Sequence, residues 1–299
     1  MFKMIKINSS LYGYSKYFKF LIYLLNLRKL PSSIIVNGPE GIGKKTFLTH
    51  FLISAEKSNL FKENYSIKNI DLIKFYENKF FNIKVLESKD SIIGIEDIRD
   101  LKNYLKQSSL GDKARFVLIS NIENLNINAT NALLKLLENP PYNTYLFLLK
   151  NSEFKIPDTI LSRCFKMNIE FSTKTKKEIL NNLINDYNFS DFTNHTIFDY
   201  HDTPGMIIRR IEYLKENNIE NEELIKIIYF CLNDFKLNKN FQSLKYSGHF
   251  AKIFFFSNMK KNFIFYGNLY NSFKKLFNGI VMYNADVMPL INIFKKLSK

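Results

Sequence analysis

The chain has 299 residues, of which 46% are hydrophobic and 24% are charged, and this length predicts two or three globular domains. Its 37 lysines and 6 arginines give the 43 basic residues of a formal net charge of +15. Such a charge attracts polyanions such as nucleic acid, but a lysine excess is also typical of AT-rich genomes. Charge alone therefore leaves direct DNA binding open.

The same composition disfavours a membrane-spanning protein, a zinc-binding module and a disulfide-stabilised scaffold. No apolar run approaches the roughly 18 uncharged residues that span a bilayer, and the best candidate, residues 17–27, contains Lys19. We therefore expect a cytoplasmic protein. Cys164 and Cys231 lie far apart without paired spacing, and the four histidines form no ligand or triad pattern. We expect no metal site.

Strands alternating with helices are predicted over the first half of the chain. Residues 33–37 (SIIVN) predict a buried strand, and Phe47, Leu48, Phe51 and Leu52 then recur at helical spacing. Further strands are predicted at 115–120 (RFVLIS), 145–149 (YLFLL) and 165–169, with helices around 98–105 and 129–137 between them. Alternation of this kind predicts a parallel sheet covered by helices on both faces.

After about residue 171 the pattern becomes helical to the end of the chain. We predict an α/β domain over residues 1–170, a small helical lid over 171–216 and a helical domain over 217–299. The fold class is therefore α/β followed by all-α.

Residues 38–46 (GPEGIGKKT) nearly match a phosphate-binding P-loop between the first strand and its helix. Gly38, Gly43 and Lys44 fit the pattern, but Lys45 stands where the motif requires Ser or Thr. Together with Gly41 and Thr46, these residues are candidates for cradling the phosphates of ATP or ADP at a degenerate site without magnesium. The alternative is a loop whose glycines only make the turn.

The magnesium ligands and the water-activating carboxylate of a P-loop ATPase are missing from their usual places. The hydroxyl is replaced by Lys45, and the strand at 115–120 ends in Ser120 and Asn121 instead of an Asp-Glu pair. Rescue would require Thr46, turned about 100° around the helix, and Glu123, three residues past the strand end. We therefore expect negligible intrinsic hydrolysis.

The stretch from 126 to 141 (NINATNALLKLLENPP), followed by 156–164 (IPDTILSRC), resembles the AAA+ subunits of the bacterial DNA polymerase III clamp loader. The motifs LYGY at 11–14 and LPSSIIVNGPEGIGKKT at 30–46 fit the same family in the same order. The resemblance covers about residues 8–170. It implies an AAA+ domain, a lid and a C-terminal collar domain for oligomerisation. The four-cysteine zinc module of many members is absent, since residues 55–69 contain no Cys.

Two types of subunit share these landmarks: the gamma/tau ATPase and the delta-prime type, whose own site is usually degenerate. The missing hydroxyl at Lys45 and the missing carboxylates at Ser120 and Asn121 favour the delta-prime type. The resemblance implies that Arg163, in the motif Ser-Arg-Cys, acts as an arginine finger on ATP bound by a neighbouring subunit during DNA replication. It also implies gamma/tau and delta as partners and, through the complex, the sliding clamp and primer-template DNA.

Two other functions remain open from the sequence. A gamma-like ATPase would need Thr46 and Glu123 to rescue metal binding, and a stand-alone AAA+ protein would use the basic surface to bind DNA.

Other polar positions carry weaker expectations. We interpret Asn151 as turn chemistry near the family's sensor position, Arg209 and Arg210 as helix-surface charges, and Cys164 as a small packing residue.

Overall fold

The computed structural model describes residues 10–57, 68–87, 92–106, 113–190 and 202–297. These residues form two compact units, and the division falls inside a helix, between Asn182 and Leu183. The first unit holds the described residues up to Asn182 together with Thr203–Gly205. The second unit holds the described residues from Leu183 onward apart from those three.

A five-stranded parallel sheet forms the centre of the first unit, in the order β2-β3-β4-β1-β5. Central β1 pairs with β4 from Ser33 opposite Leu146 to Gly38 opposite Asn151. On its other side, β1 pairs with β5. The strands are β1 Ser33–Gly38, β2 Ile83–Leu86, β3 Arg115–Ile119, β4 Thr144–Asn151 and β5 Phe165–Asn168.

Alternate residues of the strands supply two apolar cores, one on each face of the sheet. Ile34 and Val36 face one core with Phe47 and Phe51 of α2, whereas Ile35 faces the other. Helices α1 to α3 cover the first face, and α4 and α5 cover the second. The helices of this part are α1 Ser15–Asn26, α2 Lys44–Glu56, α3 Asn69–Tyr76, α4 Ile95–Lys106, α5 Ile127–Glu138, α6 Asp158–Leu161 and α7 Thr173–Asp186, with a 3-10 turn at Ile122–Asn124.

The four strands predicted from the sequence are all present, and so is the parallel sheet covered on both faces. The prediction missed β2, because its four residues form an edge strand that pairs only with β3 and is only partly buried. Helix α5 ends at Glu138, just before Pro140 and Pro141, as proline predicts.

The second unit is helical throughout its described residues. Helix α10 packs against both α9 and α11, and α12 packs against α9 and α11. Phe250, Phe255 and Phe294 are fully buried in this bundle. Its helices are α8 Pro204–Glu216, α9 Leu224–Asn238, α10 Phe241–Met259, α11 Phe263–Tyr283 and α12 Met288–Leu297.

A polar network ties together three of these helices. The Tyr213 hydroxyl of α8 donates to Ser243 Oγ of α10 at 2.9 Å, and Ser243 Oγ donates to Asp234 Oδ2 of α9. Asn238 and Asn240 donate to the same carboxylate. The hydrogen bond from Ser243, with those from the two asparagines, lowers the pKa of Asp234. Hydrogen bonds of this kind favour the ionised form of the carboxylate.

We predict that Ser243→Ala lowers the free energy of unfolding by about 1–3 kcal/mol, because it removes a buried hydroxyl that serves both Tyr213 and a carboxylate. A carboxyl whose pKa is lowered by folding stabilises the protein above its ordinary pKa of about 4, and this contribution is lost as the pH falls. The difference from the parent chain should therefore be larger in urea titrations at pH 7 than at pH 3.5.

Ser272→Ala is the matched control, since the exposed Ser272 hydroxyl donates only to the Asn268 carbonyl of its own helix. We expect its effect to stay within about 0.5 kcal/mol. Equal effects of the two substitutions would contradict the role assigned to the network.

Candidate functional site

The loop between β1 and α2 has the shape of a phosphate-binding turn. Gly41 and Gly43 have φ angles of +75° and +102°, which residues with a Cβ rarely adopt. A Cβ on Gly38 would lie 3.0 Å from the carbonyl oxygen of Ile169, the residue after β5, so the end of β1 has little room for a side chain. Helix α2 begins directly after Gly43. The loop therefore leads into the positive end of a helix dipole, as in phosphate sites.

Lys44 lies across this loop. Its ammonium donates to the carbonyl oxygens of Gly38 at 2.6 Å and Pro39 at 2.9 Å. The P-loop lysine is the residue that reaches the phosphates in such motifs. The structure therefore keeps the glycine geometry and the cation of a phosphate cradle.

Lys45 stands at the position of the magnesium-binding hydroxyl, and its side chain forms an ion pair. Its Nζ lies 2.6 Å from Glu87 Oε2 and 2.8 Å from Glu87 Oε1, and 5.1 Å from the ring centroid of Tyr76. Magnesium requires oxygen ligands in near-octahedral geometry, and an ammonium group supplies none. Thr46, the alternative ligand, is half-buried in the first turn of α2.

The residues directly after β3, Ser120 and Asn121, are not carboxylates, and the first acidic residue after them is Glu123. Ser120 is buried, and its hydroxyl has no hydrogen-bond partner among the residues that the structure describes. Asn121 adopts a φ of +55° at the start of the 3-10 turn. Glu123 Oε2 accepts a hydrogen bond from the backbone N–H of Asn151 at 3.4 Å. The described ranges contain no group of three or more His, Cys, Asp or Glu side chains that could hold a metal ion. The residues present do not fit a magnesium site.

Asn151 lies at the end of β4, opposite Gly38. Its side-chain oxygen accepts from the Glu153 amide at 3.2 Å, which is the turn chemistry expected from the sequence.

Residues 203–205 bind the backbone of the phosphate loop, a contact that the sequence analysis missed. Gly205 donates its amide to the Gly41 carbonyl at 3.0 Å, and the buried Thr203 hydroxyl donates to the Glu40 carbonyl at 2.6 Å. A Cβ on Gly205 would lie 2.5 Å from the Gly41 oxygen. The Pro-Gly start of α8 was the only sequence signal, and it indicates a helix start rather than this contact.

Tyr14 supports the loop from the other side. Its hydroxyl donates to the Ile42 carbonyl at 3.0 Å, and its ring stacks on Phe47 with centroids 4.7 Å apart. Burial raises the pKa of Tyr14 well above its ordinary value, so the hydroxyl keeps its proton. In the sequence, Tyr14 was singled out only as the last residue of the LYGY motif that fits the family. The structure makes it a positioning residue of the loop.

Arg163 lies two residues after α6 and is fixed by neighbouring groups. Its Nε donates to Glu138 Oε1 at 2.9 Å, its Nη2 lies 2.7 Å from the same oxygen in an ion pair, and its Nη1 donates to the Thr159 carbonyl at 2.9 Å. About 35% of its side chain remains exposed. At Cys164, burial raises the thiol pKa to about 12, so a thiolate is not available at neutral pH.

The two arginines of α8 differ from each other. Arg209 is exposed, as expected, but the interpretation of Arg210 as a surface charge is wrong. Arg210 is 1% exposed and pairs with Asp202 at 2.7 Å. Ile207, Ile208 and Ile211 form the buried face of α8. Arg210 is three residues after Ile207 and directly precedes Ile211, so it lies on that face.

Two of the histidines also lie within the described ranges. His50 is buried inside α2, and His249 lies in α10. His195 and His201 lie outside the described residues.

Comparison with known proteins agrees with this geometry. A family model described as DNA polymerase III, delta subunit, matches residues 13–173, which include the sheet, the phosphate loop and Arg163. The chain belongs to this family. Within the family it is of the delta-prime type. A protein of Buchnera aphidicola subsp. Baizongia pistaciae named DNA polymerase III subunit delta' is 25% identical over 91% of this chain and 74% of its own length.

Two further matches extend the comparison. The protein of the same name from Buchnera aphidicola subsp. Schizaphis graminum is 27% identical over 71% of this chain and 61% of its own length. The crystal structure of a DNA polymerase III gamma subunit-related protein from Thermotoga maritima matches with a TM-score of 0.53 at 17% identity. The match covers 92% of this chain and 97% of that one, and it supports the AAA+ fold alone.

Among the described residues, no helix is long and apolar enough to cross a bilayer.

We predict that Gly205→Ala destabilises the protein by at least about 1 kcal/mol, because its Cβ would overlap the Gly41 carbonyl of the phosphate loop. Gly267→Ala is the matched control, since its added Cβ in α11 would meet no atom within 4 Å apart from the neighbouring backbone of its own helix. The control should gain about 0.5–1 kcal/mol from helix propensity. Urea titrations measure both changes, and a neutral Gly205→Ala would mean that residues 203–205 do not pack on the loop.

Proposed function

We propose that this clamp-loader subunit of the delta-prime type hydrolyses no ATP itself and supplies Arg163 in trans to ATP bound on a neighbouring subunit. The observation that carries the proposal is the Lys45–Glu87 ion pair at the position of the magnesium-binding hydroxyl. It leaves the chain without a metal ligand at its own loop. The catalytic contribution of the chain then has to come from another part of its surface.

The anchoring of Arg163 supports the finger role. Phosphoryl transfer is catalysed mainly by positioning and by stabilising the negative charge that develops on the transferring group. A guanidinium is planar and always charged, and its remaining N–H groups can bind phosphate oxygens. Glu138 and Thr159 together contact all three guanidinium nitrogens of Arg163, while about a third of the side chain stays accessible to a partner. This preorganisation lowers the entropy lost when the guanidinium meets its target.

The complex around this subunit follows from the same proposal. Its direct partners are gamma/tau and delta, and through them it acts on the sliding clamp and primer-template DNA in the cytoplasm. Residues 1–170 act as a rigid stator, 171–216 as the lid and 217–299 as the collar. The loop cradle of Gly38, Gly41, Gly43 and Lys44 remains able to hold ATP or ADP phosphates without magnesium.

We predict that Arg163→Ala lowers the DNA-stimulated ATPase activity of the reconstituted clamp loader by tenfold or more, since arginine fingers contribute about 10³–10⁵ at a single site. Arg163→Lys should recover little, because an ammonium lacks the fork geometry. Arg99→Ala is the control, because Arg99 is exposed and paired only with Glu96 of its own helix.

Assembly is checked by gel filtration, so that loss of the complex is not mistaken for loss of the finger. An Arg163→Ala complex that assembles and retains its full ATPase activity would contradict the finger assignment.

We predict that the isolated chain does not hydrolyse ATP in the presence of magnesium and that Lys44→Ala changes nothing. Lys45→Thr restores the loop hydroxyl but should stay inactive, because Ser120 and Asn121 provide no carboxylate. Phosphate release is measured on the purified protein. Hydrolysis that disappears with Lys44→Ala would instead support the gamma-like ATPase, and salt-sensitive DNA binding without recruitment by gamma/tau would support a stand-alone DNA-binding protein.

A further inference from the structure

Helices α10 and α11 of the second unit leave an apolar groove of about 440 Å³ between them. Its apolar lining includes Leu244 and Phe273, which are buried, and Phe277, which is half-buried. Phe241 and Val281, which also line it, are 60% and 54% exposed. An apolar surface that is both concave and exposed is a feature of binding sites rather than of ordinary protein surface.

The shape of the groove follows from the packing of the two helices. Near the turn that joins them, the helices are held together by Phe255 against Tyr270 and Phe273, with ring centroids 5.8 and 5.7 Å apart. Farther along, a Cβ on Gly248 would lie 2.8 Å from the Phe277 ring, so the ring reaches the backbone of α10 only because residue 248 is glycine. The tip of the Phe277 ring therefore approaches α10 closely at Gly248.

The length of the groove matches a helix. Its lining residues run from 241 to 252 on α10 and from 270 to 281 on α11. Eleven residues of helix extend about 16 Å, or about three turns. A single apolar side chain or a small anion would fill only part of this length, whereas a helix of three turns would cover the apolar strip continuously.

The charge around the groove is one-sided. Lys245, Lys252 and Lys274 line it, and no Asp or Glu is among its lining residues. Between residues 241 and 297 the sequence contains eight lysines and a single acidic residue, Asp286. Lys252 also lies 3.6 Å from Asp202, which is not among the lining residues.

We propose that this groove binds an acidic amphipathic helix of a partner protein. Apolar side chains at i, i+3 or i+4, and i+7 of that helix would contact the accessible lining residues Phe241, Phe277 and Val281. Lys245 and Lys252 are seven residues apart and therefore lie on one face of α10, two turns from each other. They match carboxylates spaced seven residues apart on one flank of the partner, and Lys274 matches a carboxylate on the opposite flank. The apolar lining favours a peptide over nucleic acid, whose phosphates make no use of it.

The test uses the full chain and a fluorescein-labelled peptide of 18 residues, designed as a helix with one leucine stripe and glutamates on both flanks. We expect saturable binding by fluorescence anisotropy. Lys245→Glu and Lys274→Glu should each weaken it about fivefold, the effect of one partly exposed ion pair. Lys275→Glu is the matched control, because Lys275 is adjacent and exposed but does not line the groove. It should stay within about twofold.

A photo-crosslinking group at the central leucine should label residues of α10 and α11, identified by mass spectrometry. The proposal is wrong if the peptide does not bind saturably, or if Lys274→Glu and Lys275→Glu weaken it equally. It is also wrong if a single-stranded oligonucleotide displaces the peptide and itself binds through Lys274. The assay needs no other clamp-loader subunit, so its outcome is independent of the role proposed for Arg163.

Discussion

The parallel pairing of β1 with β4 is the constraint on which the candidate site depends. It brings Gly38 and Asn151 side by side at the carboxyl edge of the sheet, where ligand sites of open α/β sheets form. Because β3 pairs with β4 in turn, Ser120 and the 3-10 turn after it reach the same edge. The phosphate loop, the strand ends and Glu123 therefore share one location, although they are distant in the chain.

At that location, the phosphate loop forms more hydrogen bonds with the rest of the chain than the motif alone implies. Carbonyl groups of the loop accept hydrogen bonds from Tyr14, Lys44, Thr203 and Gly205. A loop whose carbonyl groups are paired within the protein is well ordered without a ligand, since unpaired polar backbone is costly when buried. The ion pair of Lys45 adds to this order and replaces the metal ligand. The loop thus resembles a structural element more than a catalytic one.

The two units present different chemistry to partners. In the first, Arg163 is a single charge with fixed geometry, held by Glu138 and Thr159. In the second, the surface between α10 and α11 is apolar with lysines at its margins. A fixed guanidinium suits recognition of a small anionic group, whereas an apolar strip with basic margins suits a longer acidic segment. On the two proposals made above, Arg163 would contribute to a neighbour's chemistry and the groove would bind a helix of a partner.

The sequence by itself determined the fold class, the degenerate phosphate loop and the family, because these depend on local patterns: strand-glycine-helix order, Lys45 in place of a hydroxyl, and the motif around Arg163. Only the tertiary structure decided which groups meet. The partners of Lys45 and Arg163 are 42 and 25 residues away, and Gly205 contacts a loop 164 residues earlier. The burial of Arg210 was missed for the same reason. A helical pattern predicts which residues share a face of the helix, but not which other element covers that face.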